Sequence, residues 1–188
     1  MKIRLDQYLV QHGLIQSRER AKAMIMSGVV FVNEQKVDKA GEMIKDDAKV
    51  TAYAGYGSAG IGGGRYRGGS VKISGSADVT AFGAQGGAGI GSGEDVYGTS
   101  NDDVRCNTTV DISDKANVTA VGSHGAAAIG SGNGCTKGKT TVTITGGTVK
   151  AIGGEYSASA IGGYNYDGTV QDVTVTINGT TGNTTANA

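Results

Sequence analysis

Apolar residues recur at helical spacing in two short segments near the start of the chain. The first segment ends at Gly13, a natural helix end because glycine enters left-handed backbone geometry at little cost. The second follows Ser17, a favourable N-cap residue, and ends before Gly28. The pattern therefore predicts two helices. Their apolar positions are Leu5, Tyr8 and Leu9 in the first and Ala21, Met24 and Ile25 in the second.

Short β-branched runs follow the two predicted helices. Residues 29–32 and 36–37 flank the polar residues 33–35, as expected for a β-hairpin, and residues 49–51 form a later strand. The predicted order of this first unit is helix, helix, strand, strand, strand.

Three signatures then recur in a fixed order. The first is a small-residue run around an isoleucine, and these isoleucines are Ile61, Ile90, Ile129 and Ile161. The second is a β-branched strand at residues 71–74, 110–113, 142–145 and 173–176. The third is an apolar triplet at residues 79–81, 118–120 and 149–151. A period near thirty residues, built from short strands without a helix signal, predicts a β-solenoid.

Stacking of such repeats places each isoleucine or valine on its counterpart in the next coil. Glycine and alanine beside the isoleucines indicate positions where the backbone turns inward and leaves no room for larger side chains. Residues 50–52 also have the form of the third signature. We therefore expect the last strand of the first unit to act as the first rung of the solenoid and to cap its open edge.

Composition divides the chain at the same place. Of 34 glycines, all but three lie after residue 50. We predict a small α+β domain at residues 1–54, an all-β right-handed parallel β-helix at residues 55–180, and a polar tail at residues 181–188.

The net charge of zero conceals a difference between the two units. Residues 1–50 carry nine Lys or Arg against seven Asp or Glu, whereas the remainder carries eight against ten. Arg18 and Lys22 are four residues apart and share a helix face, and with Arg4, Lys36 and Lys39 they could form a surface for phosphates. The alternative is that these are ordinary solvated charges, because acidic residues lie among them.

A resemblance favours the phosphate surface. Residues 4–9 (RLDQYL), 13–21 (GLIQSRERA), 25–33 (IMSGVVFVN) and 37–41 (VDKAG) resemble the small RNA-binding domain named after ribosomal protein S4. The likeness is greatest to the version at the front of the hemolysin-type rRNA methyltransferases. It implies a helix pair packed on a small sheet that binds structured RNA, with ribosomal RNA as a candidate. The implied contacts are Arg4, Ser17, Arg18, Lys22, Asn33, Lys36 and Lys39.

Two departures from that family limit what the resemblance implies. Glu34 stands where glycine is usual in the hairpin turn, so we expect weaker RNA affinity without loss of the fold. The strand and helix alternation of a cofactor-binding α/β domain does not follow, so we predict no catalytic residue, no cofactor and no enzyme activity.

Other features bear on compartment and ligands. No apolar run approaches the ~20 residues that span a bilayer, and the N-terminus lacks the apolar core of a signal peptide, which predicts a cytoplasmic protein. Cys106 and Cys135 could form a bridge between neighbouring loops, but in the cytoplasm we expect reduced thiols. An acidic insertion at residues 94–109 could bind calcium, but it lacks the spacing of a calcium loop, so we predict no metal site.

The sequence is consistent with two functions. The first is non-enzymatic binding of structured RNA, with the solenoid as scaffold. The second is a bacterial surface or adhesion protein whose repeats bind carbohydrate and whose first unit is a recombined passenger. Tyrosines that flank the coils could stack on sugar rings, and they are Tyr56, Tyr66, Tyr97, Tyr156, Tyr164 and Tyr166.

Overall fold

The computed structural model describes residues 2–95, 106–156, 158–163, 165–166, 169–170 and 172–178. The helices of this part of the chain are α1 (Leu5–Gln11) and α2 (Arg18–Met26). The strands before the repeats are β1 (Lys2–Arg4), β2 (Val30–Val32), β3 (Gln35–Lys36), β4 (Met43–Lys45) and β5 (Lys49–Tyr53).

The repeat strands form three sheets, one for each signature. The isoleucine signature gives β6 (Ile61–Gly62), β9 (Ile90–Gly91), β12 (Ile129–Gly130) and β15 (Ile161–Gly162). The second gives β7 (Ser70–Ile73), β10 (Thr108–Ile112), β13 (Lys139–Ile144) and β18 (Asp172–Ile177). The third gives β8 (Asp78–Phe82), β11 (Asn117–Val121) and β14 (Thr148–Ile152). A separate antiparallel pair consists of β16 (Asn165–Tyr166) and β17 (Thr169–Val170).

Within each sheet the repeat strands pair in parallel and join successive coils. Ile61 pairs with Ile90, Ile90 with Ile129, and Ile129 with Ile161, which confirms the predicted column. The first three of these isoleucines are almost fully buried. Because each coil contributes too little apolar surface to bury alone, the stack itself forms the core.

The register of the last repeat strand, β18, differs from the register that the repeat signatures predicted. We expected residues 173–176 to stack on residues 142–145, but Val142 pairs with Val175 and Ile144 pairs with Ile177. The shift is two residues. Since side chains alternate between the two faces of a strand, a two-residue shift keeps the same face inward, so the residue pattern alone does not separate the two registers.

Glycines permit the coils to approach one another closely. Gly91 has a φ of 141°, and a Cβ built on it would overlap the carbonyl oxygen of Gly130 in the next coil. The expectation that large side chains do not fit beside the isoleucines is confirmed here, and Ala88 and Ala128 at neighbouring positions are fully buried.

The first unit contains both predicted helices. Ser17 caps α2 as expected, and Gly13 and Gly28 follow the two helices with φ values of 71° and 73°. The strand order was wrong in two respects, because β1 precedes α1 and β4 lies between β3 and β5, and these two strands pair antiparallel with each other. These strands have three residues each, too few to give a clear alternating pattern.

Strand β5 joins the two units, as predicted from the shared triplet. It pairs antiparallel with β2 on one side and parallel with β8 on the other. Val50 and Ala52 lie opposite Val79 and Ala81 in the register expected for a first rung. The edge of the solenoid sheet is therefore covered by the hairpin of the first unit.

The turn after α1 adds a second contact across this junction. The ring of His12 is buried, with Nδ1 3.3 Å from the carbonyl oxygen of Ser74 and Nε2 3.3 Å from Oδ1 of Asp46. The next residue, Gly13, lies directly against the carbonyl group of Lys72 in β7. Buried apolar residues of both units consequently belong to one continuous core.

The cysteines differ from the sequence expectation. Cys106 and Cys135 are joined in a disulfide, with their Cα atoms 5.7 Å apart, although we expected reduced thiols. The repeat places the two buried residues on loops of neighbouring coils, so the stacking itself brings them within bonding distance. Sequence spacing alone did not fix this distance.

Several expectations concern residues outside those described, including the tail at 181–188 and residues 96–105 of the acidic insertion. Among the described residues, no helix is long and apolar enough to cross a bilayer.

Candidate nucleic-acid interface

A buried carboxylate organises the first group of predicted contact residues. Asp6, at the start of α1, is fully buried and accepts two hydrogen bonds from Arg4, Nε to Oδ1 at 3.0 Å and Nη2 to Oδ2 at 3.1 Å. Arg18 Nη2 donates to the same Oδ2 at 2.9 Å. The hydrogen bond from Arg4, helped by Arg18 and opposed by burial, lowers the pKa of Asp6 to about 2.

The two arginines remain accessible despite these ion pairs. The Arg4 and Arg18 side chains are 41% and 45% exposed, so guanidinium donors that do not bind Asp6 face solvent. Asp6 neutralises part of their charge and holds both guanidinium groups in a fixed orientation. Preorganised guanidinium groups suit planar, bidentate recognition of phosphate.

The other two predicted residues of α2 have separate roles. The Ser17 hydroxyl accepts a hydrogen bond from the backbone N–H of Arg20 at 3.3 Å, so it stabilises the helix end. Lys22 is exposed one turn after Arg18. Lys22 is therefore free to contact an anion, whereas the side-chain oxygen of Ser17 is already used as a cap.

The hairpin turn places Asn33 and Glu34 between paired strands. Val32 pairs with Gln35, so the turn has two residues, and their φ values are 48° and 68°. Positive φ at both positions is the signature of a primed turn. Asn33 Oδ1 accepts a hydrogen bond from the backbone N–H of Lys49 at 3.1 Å, which fixes the turn against β5.

A groove of about 440 Å³ lies between this hairpin and β4. It brings together the predicted residues Asn33, Lys36 and Lys39, all exposed. Two further lysines, Lys2 and Lys45, line the same groove and were missed by the sequence analysis. The carboxylates in its lining are Asp38 and Glu42.

Lys2 and Lys45 are direct cross-strand partners on β1 and β4. Like charges at directly opposite positions destabilise a sheet, and this pair adds two positive charges to the lining of the groove. The sequence could not indicate this pair of lysines, because the predicted fold contained neither β1 nor β4.

The two groups of cations are adjacent but do not form one pocket. Arg4, Ser17, Arg18 and Lys22 are absent from the lining of the lysine groove. Arg4 nevertheless approaches its rim, because a Cβ at Gly41 would lie 3.3 Å from Arg4 Nη1. At the other end, the ammonium of Lys36 lies over Gly28, just after α2.

Two known protein families match different parts of the chain. The S4 domain family matches residues 3–50. The beta helix repeat family matches residues 44–65, 68–94, 110–133 and 142–170, together more than half of the chain. The chain belongs to the beta helix repeat family and carries an S4 domain. The two matches overlap at residues 44–50, where β5 begins.

One curated relative is YqxC of Bacillus subtilis (strain 168), which is named as a candidate rRNA methyltransferase. It is 50% identical over 50 residues. That segment is 27% of this chain and 18% of the relative, so the likeness is confined to a region the size of the S4 domain. No solved structure matches the chain significantly.

Glu34 gives a direct test of the hairpin turn in the S4 domain. A side chain at positive φ costs about 1–2 kcal/mol, so we expect Glu34→Gly to raise the free energy of unfolding by about 1 kcal/mol. Urea denaturation measures this change. Glu34→Ala is the matched control, because it removes the charge but keeps the Cβ, and equal stability of the two variants would contradict the prediction.

Proposed function

We propose that this protein binds structured RNA through its S4 domain, without catalysis, and that the beta helix repeats act as its scaffold. The observation that carries the proposal is the pair of guanidinium groups held by buried Asp6, with the lysine groove beside them. Both groups present cations on a relatively rigid support, as phosphate contacts require. The proposed contacts remain Arg4, Arg18, Lys22, Asn33, Lys36 and Lys39, with Ser17 positioning α2.

Ribosomal RNA is the proposed target class. The support is that YqxC, a protein named for rRNA methylation, is 50% identical to this chain over 50 residues. The proposal assigns RNA binding to residues 1–54 and the scaffold to residues 55–180, with a right-handed coil. The cytoplasm is the proposed location, where ribosomal RNA is present.

The test is the double variant Arg18→Ala with Lys22→Ala in the full chain. We expect affinity for an RNA hairpin from ribosomal RNA to fall about tenfold or more, and the slope of log affinity against log salt to shrink by about two, one for each lost phosphate contact. Fluorescence anisotropy across a salt series measures both.

Because Arg18 also binds Asp6, loss of folding must be separated from loss of contact. Lys22→Ala alone leaves that ion pair intact and should still reduce the slope by about one. Lys115→Ala with Lys150→Ala removes the same charge from exposed positions of the repeats and is the matched control. Unchanged affinity in the Arg18 and Lys22 variant would overturn the proposed site.

A second candidate function is carbohydrate binding at the cell surface, and the Cys106–Cys135 disulfide is the observation that favours it. Disulfides persist mainly in oxidising compartments outside the cytoplasm. Tyr56 and Tyr156 are 65% and 73% exposed and could stack on sugar rings. Of the other tyrosines, Tyr97 and Tyr164 lie outside the described residues. Binding of the full chain on a glycan array, without RNA binding, would favour this function.

A further inference from the structure

We infer that the RNA-binding surface extends across the junction, into a cleft that the S4 domain and the first coil of the repeats build together. This inference rests on the proposed function. It assigns the repeats a direct part in binding, with Arg67 as a phosphate contact that lies outside the S4 match.

The cleft has a volume of about 730 Å³ and lies beside the segment that leads into α2. The S4 domain contributes Gln16 and Arg20, and the first coil contributes Arg67 and glycine-rich backbone at residues 62–64 and 68–69. Among the described residues, its lining contains two arginines and no carboxylate. The lysine groove, in contrast, includes two acidic residues. The cleft therefore favours an anionic occupant more clearly than the groove does.

The two arginines of the first coil differ in their contacts. Arg65 Nε lies 3.3 Å from Glu94 Oε2, and its guanidinium lies over the rings of Tyr56 and Tyr66. Arg67 is exposed, and its side chain forms no ion pair or hydrogen bond with the described part of the chain. Arg65 thus stabilises the coil, whereas the donors of Arg67 remain available to a ligand.

Arg20 lines the cleft from the S4 side, and a hydrogen bond restricts its orientation. Its Nη1 donates to Gln16 Oε1 at 2.7 Å, and both residues line the cleft. Four of the five guanidinium N–H groups are not used in that bond. A phosphate in the cleft could therefore accept from Arg20 and Arg67 without displacing an existing ion pair.

The first coil also offers exposed backbone. Gly62 and Gly64 are exposed, and a Cβ built on Gly64 would meet no atom within 4 Å. Absence of side chains lets a phosphate approach the main chain closely, which is the usual advantage of glycine-rich loops at anion sites. The packing of Gly13 against Lys72 and the contact of His12 with Ser74 hold the two walls of the cleft in place.

The position of the cleft relative to α2 allows a single RNA to reach both regions. At 100° per residue, Arg20 lies on the opposite flank of α2 from Arg18 and Lys22. The two flanks are separated by about the 10 Å width of a helix, a distance that a few nucleotides can cross. We therefore expect a folded RNA to contact Arg18 and Lys22 while an adjoining strand enters the cleft.

The test compares Arg67→Ala with Lys150→Ala in the full chain. Each variant removes one exposed positive charge from the repeats, but Lys150 lies on β14, two coils from the first. The probes are an RNA hairpin with a single-stranded extension and the same hairpin without it. We expect Arg67→Ala to weaken binding of the extended probe about three- to fivefold and to reduce its salt slope by about one, with no change for Lys150→Ala.

The outcomes separate this inference from the function on which it rests. If Arg67→Ala and Lys150→Ala have equal effects, the cleft is not a contact site and the inference is overturned. The Arg18→Ala and Lys22→Ala variant is measured in the same series. If it weakens binding while Arg67→Ala does not, the proposed RNA binding is supported and the contact at the cleft is overturned. If neither variant weakens binding, the proposed function fails as well.

Discussion

Replacement of Gly13 by alanine is expected to lower the free energy of unfolding by about 2–5 kcal/mol. Two effects add. Gly13 has a φ of 71°, where a side chain costs about 1–2 kcal/mol. The new Cβ would also overlap the carbonyl oxygen of Lys72 in β7, and a backbone group in a sheet cannot rotate away. The overlap must then be relieved by separating the α1–α2 turn from the first coil, at a further cost typical of overpacking, about 1–3 kcal/mol.

Urea denaturation of the full chain, followed by circular dichroism, measures this change. Gly28→Ala is the matched control, because Gly28 also follows a helix and has a φ of 73°. Its Cβ would meet only the far end of the Lys36 side chain, which can swing aside. We expect Gly28→Ala to cost about 1–2 kcal/mol. Equal destabilisation by the two variants would mean that the contact with Lys72 does not contribute.

Reduction of the Cys106–Cys135 disulfide is expected to lower the stability of the chain by about 3–4 kcal/mol. The bond closes a loop with a sequence separation of 29, and loop closure restricts the unfolded chain by an amount that grows with the logarithm of loop length. It also ties the end of the acidic insertion to the next coil. A melting curve with and without a thiol reductant measures the effect as a fall in Tm.

The control for this experiment is the double variant Cys106→Ala with Cys135→Ala. It should melt near the reduced protein, and the reductant should not change its Tm. A Tm of the unmodified chain that is indifferent to reductant would contradict the prediction. Since cytoplasmic proteins keep their thiols reduced, the measured stability of the reduced form also determines whether the chain could remain folded there.

Much of the fold follows from local patterns. The helices were predicted from spacing and caps because Gly13, Ser17 and Gly28 have conformational preferences that act within one turn. The coils were predicted because Ile61, Ile90 and their counterparts repeat, and stacking like on like is the arrangement that buries them all. Strands β1 and β4 and the register of β18 were not predicted correctly, because three-residue strands and a two-residue shift leave little trace in the sequence.

The candidate site, like the fold, could be predicted from the sequence only in part. Charge spacing and resemblance identified Arg18, Lys22 and Lys36, but not the part played by Asp6. A buried carboxylate that orients two arginines is defined by burial and distance, which a charge pattern does not contain. Lys2 and Lys45 are brought together by the pairing of β1 with β4, and Arg20 and Arg67 line one cleft because the two units dock.

The sequence by itself therefore determined the helices of the first unit, the repeat, and the rung shared through residues 50–52. Each depends on residues near one another in the chain or on a period that stacking must respect. Only the tertiary structure decided the Cys106–Cys135 bond, the orientation of Arg4 and Arg18 around Asp6, and the cleft between the units. Those features join residues from separate elements, and their distances are fixed by how the elements pack.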